Sequence, residues 1–385
     1  MSAASASTAV PSTAAEAADA LRAAAVAGQR VRIAGNGSKL GWGTPIAPPD
    51  VELRTTGLAR IVAHNEGDFT VIVEPGTPLQ TLQAELAAKG QMVALDPPAD
   101  EATVGGTIAT SDYGPLRHRY HAPRDLIIGA QLALTDGSTP RTGGTVIKNV
   151  AGYDLAKLFT GSYGTLGVIA EIALRLHPRP ERTATAIGRS DDPAKLAAGA
   201  AAVTSQPLEA DCFDVGWDGE DGAILVRLSG ETASDRVART LPLLAGAGLE
   251  TAVDEDDEAL WANQRAGQRS PEGVVVRVMA GQADLVRVLE AARGAHATVV
   301  GRAALGISWL RLDGVDDATA VARITELRDV LAPASVVVLD APAAVRQSLD
   351  PWGHVDPGRL ALLRSVKARF DPTGTCAPGL YVGGI

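Results

Sequence analysis

The residues able to do chemistry in this chain of 385 residues lie in glycine-rich stretches with polar side chains set between the glycines. The richest is 143–176, GGTVIKNVAGYDLAKLFTGSYGTLGVIAEIALRL, with six glycines, two tyrosines, two lysines, one Asn and one Asp. Glycines at this density let backbone N–H groups come close to a ligand, because no Cβ stands in the way. Asn149, Tyr153 and Asp154, grouped around Gly152, could fix the orientation of that ligand. The plainer reading is a glycine-rich connection between two strands. Two further glycine-rich points upstream favour the ligand. Residues 35–43 read GNGSKLGWG, four glycines in nine positions directly after a strand-like run. That is the composition of a backbone nest for phosphate oxygens. It has neither the GxxxxGK[ST] spacing of a P-loop nor the GxGxxG of a dinucleotide fingerprint. The other point is Thr103-Val104-Gly105-Gly106-Thr107.

Charged and sulfur-bearing residues narrow the chemistry. The stretch 112–124, DYGPLRHRYHAPR, carries Arg117, His118, Arg119, His121 and Arg124. It reads either as a solvated surface loop or as an electropositive rim facing phosphates or a carboxylate. Cys212 and Cys376 are the only cysteines, so no disulfide framework is implied and no iron–sulfur cluster can be ligated. Cys376 reads as a small packing residue. Six scattered histidines show no HExxH spacing, which argues against a dedicated metal site. A net charge of −10 argues against nucleic acid or an anionic membrane as the main partner. Residues 1–13, rich in Ala, Ser and Thr, read as a frayed terminus and not as a signal peptide. With no run of about 18 apolar residues, no membrane span is expected and the location implied is cytoplasmic.

These residues must be positioned by a regular scaffold. Residues 14–27 predict a helix capped by Ser12 or Thr13 and closed by Gly28. Strands are expected at 30–34, 51–54, 60–63 and 70–74, the last stopped by Pro75-Gly76. Thr77 then caps, and Pro78 opens, a helix over 79–89 with Leu79, Leu82 and Leu86 on its core face. A strand over 125–134 turns at Asp136-Gly137. Beyond residue 180 short strands alternate with Ala-rich helices, the pattern of an α+β domain whose antiparallel sheet is covered by helices. The acidic run 254–258 reads as a solvated helix start. An amphipathic helix over 355–370, with Leu360, Leu363, Val366 and Phe370 on one face, precedes the turn-rich DPTGTCAPG of 371–379.

Taken together these pieces resemble the FAD-binding flavoproteins of the vanillyl-alcohol oxidase/p-cresol methylhydroxylase type. The resemblance rests on four motifs in order. They are the loop RIAGNGS at 32–38, VEPG at 73–76, TVGG at 103–106 and GTLGVIAE at 164–171, with a DPxGxxNPG-like ending. KNVAGYDL at 148–155 and the Gly-Pro-x-Arg…Arg-Asp pattern of 114–125 are most similar to the FAD-binding subunits of glycolate oxidases. The resemblance implies an α+β fold: a two-part FAD-binding domain (14–180), a smaller cap of antiparallel sheet plus helices (181–350), and a tail (351–385) returning to the first domain. It implies non-covalent FAD, since Ser38 and not His stands in the pyrophosphate loop. The cofactor-binding residues it implies are Gly35, Asn36, Gly37 and Ser38; Pro75 and Gly76; Thr103, Gly105, Gly106 and Thr107. From the longest stretch come Asn149, Gly152, Tyr153, Asp154, Gly164, Gly167, Val168 and Ile169.

The resemblance further implies a complex with a second flavoprotein subunit and an iron–sulfur subunit, oxidising glycolate and related small 2-hydroxy acids. Any membrane association would then run through those partners. Such chemistry needs an acceptor for the hydroxyl proton and a cation for the carboxylate. Arg117, Arg119, Arg124 and Lys148 are candidates for the cation, and His118 or His121 for the base, with no spacing that assigns a catalytic role. A stand-alone FAD oxidase of a hydroxy acid or sugar, and a structural subunit of the same fold, are the alternatives. One departure stands out: Ala377 occupies the position where the family has Asn before Pro-Gly.

Overall fold

The computed structural model describes residues 6–144 and 154–385. The chain divides into two compact units, one made of Met1–Tyr113, Ala122–Arg179 and Val355–Ile385, the other of Gly114–His121 and Pro180–His354.

The first unit contains a three-stranded parallel sheet in the order Ser7–Ala9, Val51–Arg54, Val31–Ala34. Against it packs the helix Ala14–Val26, whose Ala17, Ala18, Leu21 and Ala24 recur at helical spacing and are buried with Val31 and Leu53. Thr13 caps this helix, its Oγ1 accepting from the Glu16 N–H at 3.1 Å. The expected frayed terminus is corrected in part. Ser7–Ala9 pair with Val51–Arg54, which satisfies backbone groups that sequence composition alone left open.

A five-stranded antiparallel sheet follows in the order Ile61–Asn65, Thr70–Val73, Val168–Arg175, Ile127–Ala133, Arg141–Gly143. Its central strand, Val168–Arg175, is buried at nearly every position, which explains why it is apolar except at half-buried Glu171 and exposed Arg175. The strand expected over 125–134 begins later, at Ile127. Pro123–Leu126 forms a helical turn instead, because Pro123 sits at its first positions and the Asp125 carboxylate accepts from the Ala122 N–H at 3.1 Å. Similarly Pro78, not Thr77, is the cap of helix Leu79–Ala87.

The helix Pro357–Phe370 has no fully buried residue; Leu360, Leu363, Val366 and Phe370 are half-buried and Leu362 is exposed. Its hold on the unit combines the edge-on contact of Phe370 with Phe159 at 5.3 Å and a charged anchor. The Lys367 ammonium donates at 2.7 Å to the Thr165 carbonyl, the Asp371 carboxylate and the Cys376 carbonyl. Asp371 in turn accepts from the N–H groups of Thr375 and Cys376 at 3.0 and 2.8 Å. The tail so fixed pairs with the strand Val31–Ala34, with Val31 N–H donating to Thr375 and Ala377 N–H to Val31, both at 2.8 Å. Burial, and the Asp371 carboxylate beside it, push the Cys376 thiol up to about 12, so it is a packing group and not a nucleophile. Replacing Lys367 by Met leaves Asp371 buried without its cation. Thermal unfolding should show a loss of about 3 kcal/mol, and unchanged stability would mean that the tail is held by other contacts.

The second unit is an eight-stranded antiparallel sheet in the order Glu250–Asp254, Thr183–Ser190, Gly222–Ser229, Cys212–Trp217, Thr298–Arg302, Ile307–Leu312, Val274–Met279, Ser335–Asp340. Alternation along the strands sends Ala184, Ala186, Val226, Val276 and Leu310 into a core shared with helices Pro193–Thr204, Ala233–Gly246, Leu285–Gly294 and Asp317–Leu331. Residues of the other parity, Ile187, Cys212, Ala223 and Leu225, form a smaller cluster with Trp261 of the helix Glu258–Ala266. Asp257, at the start of that helix, is not solvated as its acidic run suggested. It is buried, pairs with Arg227 at 2.8 Å, and accepts from the hydroxyls of Thr183 and Thr185 at 3.0 and 2.7 Å.

The cationic stretch is also corrected. Gly114–His121 is part of the second unit, and its residues Arg117–Tyr120 form a helical turn. Buried Arg302 donates to the Gly114 carbonyl at 3.1 Å and also bonds Asp214 and Gln268. Arg119 pairs with Asp211 at 2.9 Å, and the His118 ring meets Phe213 edge-on at 5.7 Å. Only part of the stretch, including His121 and Arg124, is exposed.

Burial lowers the His118 pKa from its ordinary 6.5, Arg302 acts in the same direction, and Asp211 opposes them. The folded state therefore resists a proton that the unfolded chain accepts. Its contribution is intact above pH about 6.5 and is lost as the pH falls below that value. On going from pH about 7.5 to about 5.5 the Tm of the wild type should drop further than that of His118→Gln. Equal drops would remove His118 from the account.

Candidate functional site

Within the first unit, two adjoining cavities share Ile33, Ala34, Gly35, Gly106 and Ala109 and run together as one cleft. The cleft is built where regular elements begin or end. The loop after Val31–Ala34 forms one wall, and Arg32 closes it by donating its guanidinium to the Leu40 carbonyl. Within that loop Gly37 has φ +86°, a left-handed conformation that glycine adopts without penalty.

The TVGG segment is not a loop but the first turn of the helix Val104–Thr110, capped by Thr103, whose Oγ1 accepts from the Gly106 N–H at 3.1 Å. The remaining walls come from Pro75, the turn before Val168–Arg175, and Ala377 and Leu380 of the tail.

Close backbone approach is what makes this arrangement fit. A Cβ on Gly35 would land on the Thr103 hydroxyl, and one on Gly105 would stand 2.9 Å from the Pro75 Cα. A Cβ on Gly76 would land on the Thr55 carbonyl oxygen and lie 2.7 Å from that of Leu58.

The residues singled out by sequence distribute as follows. Gly35, Asn36, Gly37, Ser38, Thr103 and Gly106 line the larger cavity; Pro75, Gly105, Gly164, Gly167 and Ile169 line the smaller. Gly76, Thr107 and Val168 pack behind the wall, Thr107 donating its hydroxyl to the Thr103 carbonyl at 2.9 Å and Val168 joining the core under helix Ala14–Val26. Asp154 caps the short helix Leu155–Phe159, accepting from the Lys157 N–H at 3.2 Å, and does not line the cleft. Asn149, Gly152, Tyr153 and the candidate cation Lys148 fall outside the described residues.

Sequence reasoning passed over Arg32, Lys39, Trp42, Tyr163 and Leu380, which also line the cleft. Lys39 and Trp42 lie inside the GNGSKLGWG loop, so their place in the motif was the available signal. Tyr163 and Ala377 hold left-handed backbone, φ +55° and +42°, a conformation that sequence does not advertise for these residue types. Asn tolerates that conformation better than Ala, which gives the family's Asn at position 377 a backbone reason. Among the described residues lining the cleft, the charged ones are Arg32 and Lys39, with no Asp or Glu, in a chain of net charge −10. The charged side chains on the cleft wall are therefore cationic, which suits an anion.

Residues 5–143 match the family of the FAD binding domain. Over its 96% coverage the chain superposes on alkyldihydroxyacetonephosphate synthase with a TM-score of 0.73 at 14% identity, covering 76% of that chain, which is a likeness of fold alone. An uncharacterized FAD-linked oxidoreductase of Mycobacterium tuberculosis is 25% identical across 97% of this chain and 90% of its own length. The glycolate oxidase subunit GlcE of Escherichia coli is 36% identical over 213 residues, 54% of this chain. The likeness thus reaches an FAD binding domain over residues 5–143. The match to the E. coli subunit spans 58% of that protein's length.

The matched domain is an FAD binding domain, and the cleft fits FAD on its own evidence. Cβ-free backbone at Gly35, Gly37 and Gly106 and the cations Arg32 and Lys39 suit a diphosphate. Trp42, Tyr163 and Leu380 give the same cavity apolar and aromatic surface for rings. Gly76→Ala should cost the fold about 2 kcal/mol or more through backbone displacement, read as a lowered Tm. A Tm equal to that of the wild type would show that the Thr55–Leu58 turn yields freely.

Proposed function

We propose that this chain is the FAD-binding subunit of a complex that oxidises glycolate or a related small 2-hydroxy acid to the 2-oxo acid. The observation that carries the reading is the cation-lined, glycine-walled cleft within a domain related to a glycolate oxidase subunit. The residues proposed to hold FAD non-covalently are the cleft-lining Gly35, Asn36, Gly37, Ser38, Pro75, Thr103, Gly105, Gly106, Gly164, Gly167 and Ile169. Gly76, Thr107 and Val168 support them from behind. Asn149, Gly152, Tyr153 and Asp154 complete the proposed set from the adjoining stretch.

When bound, FAD supplies the two-electron acceptor. This chain's own contribution is geometry and charge. The Arg32 guanidinium, by bonding the Leu40 carbonyl, holds the loop closed, and Thr103 keeps the Gly106 N–H in place at the cleft wall. With two cysteines the chain cannot carry a four-thiolate cluster, so electrons would pass to a partner. A second flavoprotein subunit and an iron–sulfur subunit are the proposed partners, in a cytoplasmic assembly. Among the described residues no helix is long and apolar enough to cross a membrane.

The test begins with the visible absorption spectrum of the purified chain and the release of its chromophore by acid. A flavin spectrum that leaves with the supernatant, and is bleached by glycolate or lactate once the partner subunits are added, is the expected result. Gly37→Asp should purify folded but colourless, since it sets a carboxylate and a Cβ against the phosphate site. A Gly37→Asp protein with full flavin content would move FAD out of this loop.

A further inference from the structure

We propose that Lys39 is the side-chain cation that binds the diphosphate of FAD, and that Asp112 is the residue that positions it. The proposal rests on the reading that FAD occupies the glycine-walled cleft. Lys39 lines the cleft and Asp112 does not. The ammonium lies 3.2 Å from the Asp112 Oδ2, and both side chains are almost fully buried, at 5% and 4% exposure. The other Asp112 oxygen accepts from the Tyr113 N–H at 3.0 Å, so the carboxylate is itself fixed in place. Ser38 Oγ lies 3.5 Å from the Lys39 Nζ, and the Trp42 ring centre 5.9 Å away.

As a device for stability such a pair is poor, because removing both ions from water costs about as much as their attraction returns. As a device for binding it is effective. A free lysine loses rotamer entropy when an anion immobilises it, and Asp112 has already imposed that loss. An ammonium has three N–H donors; one goes to Ser38 Oγ, and Asp112 holds the charge as an ion pair at 3.2 Å beside the cleft that Lys39 lines. The other cation there, Arg32, is engaged with the Leu40 carbonyl in holding the loop closed. The two roles divide cleanly: Arg32 shapes the loop and Lys39 faces the anion.

Equilibrium binding of FAD, ADP and riboflavin to the apo chain separates this role from a structural one. Lys39→Met and the charge-free double variant Lys39→Met/Asp112→Asn should bind FAD and ADP on the order of tenfold more weakly. Riboflavin, which has no diphosphate, should bind all proteins alike. Salt should weaken FAD binding to the wild type and to Lys39→Arg, but much less to the variants lacking the cation. Asp112→Asn should weaken FAD while keeping the salt dependence. A double variant that binds FAD with wild-type affinity and wild-type salt dependence overturns the proposal and leaves the cofactor reading standing. A wild-type chain that binds ADP and riboflavin no better than an unrelated protein, and FAD not at all, overturns both.

Discussion

Backbone lies against backbone around the cleft with no space for a Cβ between, and the first unit depends on this contact. Gly35 meets the Thr103 hydroxyl, Gly105 meets Pro75, and Gly76 meets the carbonyls of Thr55 and Leu58. Each glycine costs about 0.5–1 kcal/mol of chain entropy relative to alanine, so several together are justified only if close approach is needed. The cost is met by ordinary packing elsewhere, the helix Ala14–Val26 on its sheet and the buried strand Val168–Arg175. The consequence is that four segments far apart in the chain present N–H groups and small surfaces to one cleft.

Long cations tie distant chain segments onto both units by the same physical means. In the first unit Lys367 collects two carbonyls and a carboxylate and brings the tail, with Ala377 and Leu380, to the cleft. In the second, Arg302 takes the Gly114 carbonyl, Asp214 and Gln268, with Trp309 4.9 Å from the guanidinium carbon. The choice of side chain matches the geometry. The lysine is a point charge at the meeting of three acceptors, whereas the arginine spreads a planar fork across partners in different directions. Arg302 is buried and Lys367 nearly so, and each is met by three acceptors, which keeps burial from being ruinous.

What could be read from sequence follows from where the information resides. The α+β class and the antiparallel second sheet were legible because strand, helix and turn residues mark backbone events locally, whereas the meeting of loop 35–38, Pro75, TVGG and GTLG was implied by the resemblance to flavoproteins. Thr103 was recognised as part of a motif, yet the helix it caps was not, because two consecutive glycines lower helix propensity and only tertiary packing overrides them. Asp257 and the stretch 114–121 were read as solvated because local charge suggests exposure. Their partners, Arg227, Asp211 and Arg302, lie some 30 to 188 residues away, beyond what local pattern can reveal. Lys39 was missed for the same reason: its significance depends on Asp112, and nothing in the loop announces that pairing.

The charge distribution connects fold to function. A chain of net charge −10 repels phosphate at long range. That repulsion is screened within about 10 Å at ordinary ionic strength, whereas contacts inside a cleft shielded by Trp42, Leu40 and Ile33 are not. In the proposed reading a diphosphate there would meet Arg32 and Lys39, the lysine paired with Asp112. Recognition is thus local and requires desolvation, which favours a ligand whose rings can fill the apolar remainder of the cleft over a bare phosphate ion. A dinucleotide satisfies both halves of that requirement at once, and the close backbone approach at Gly35 and Gly105 is what lets the two halves coexist in one cleft.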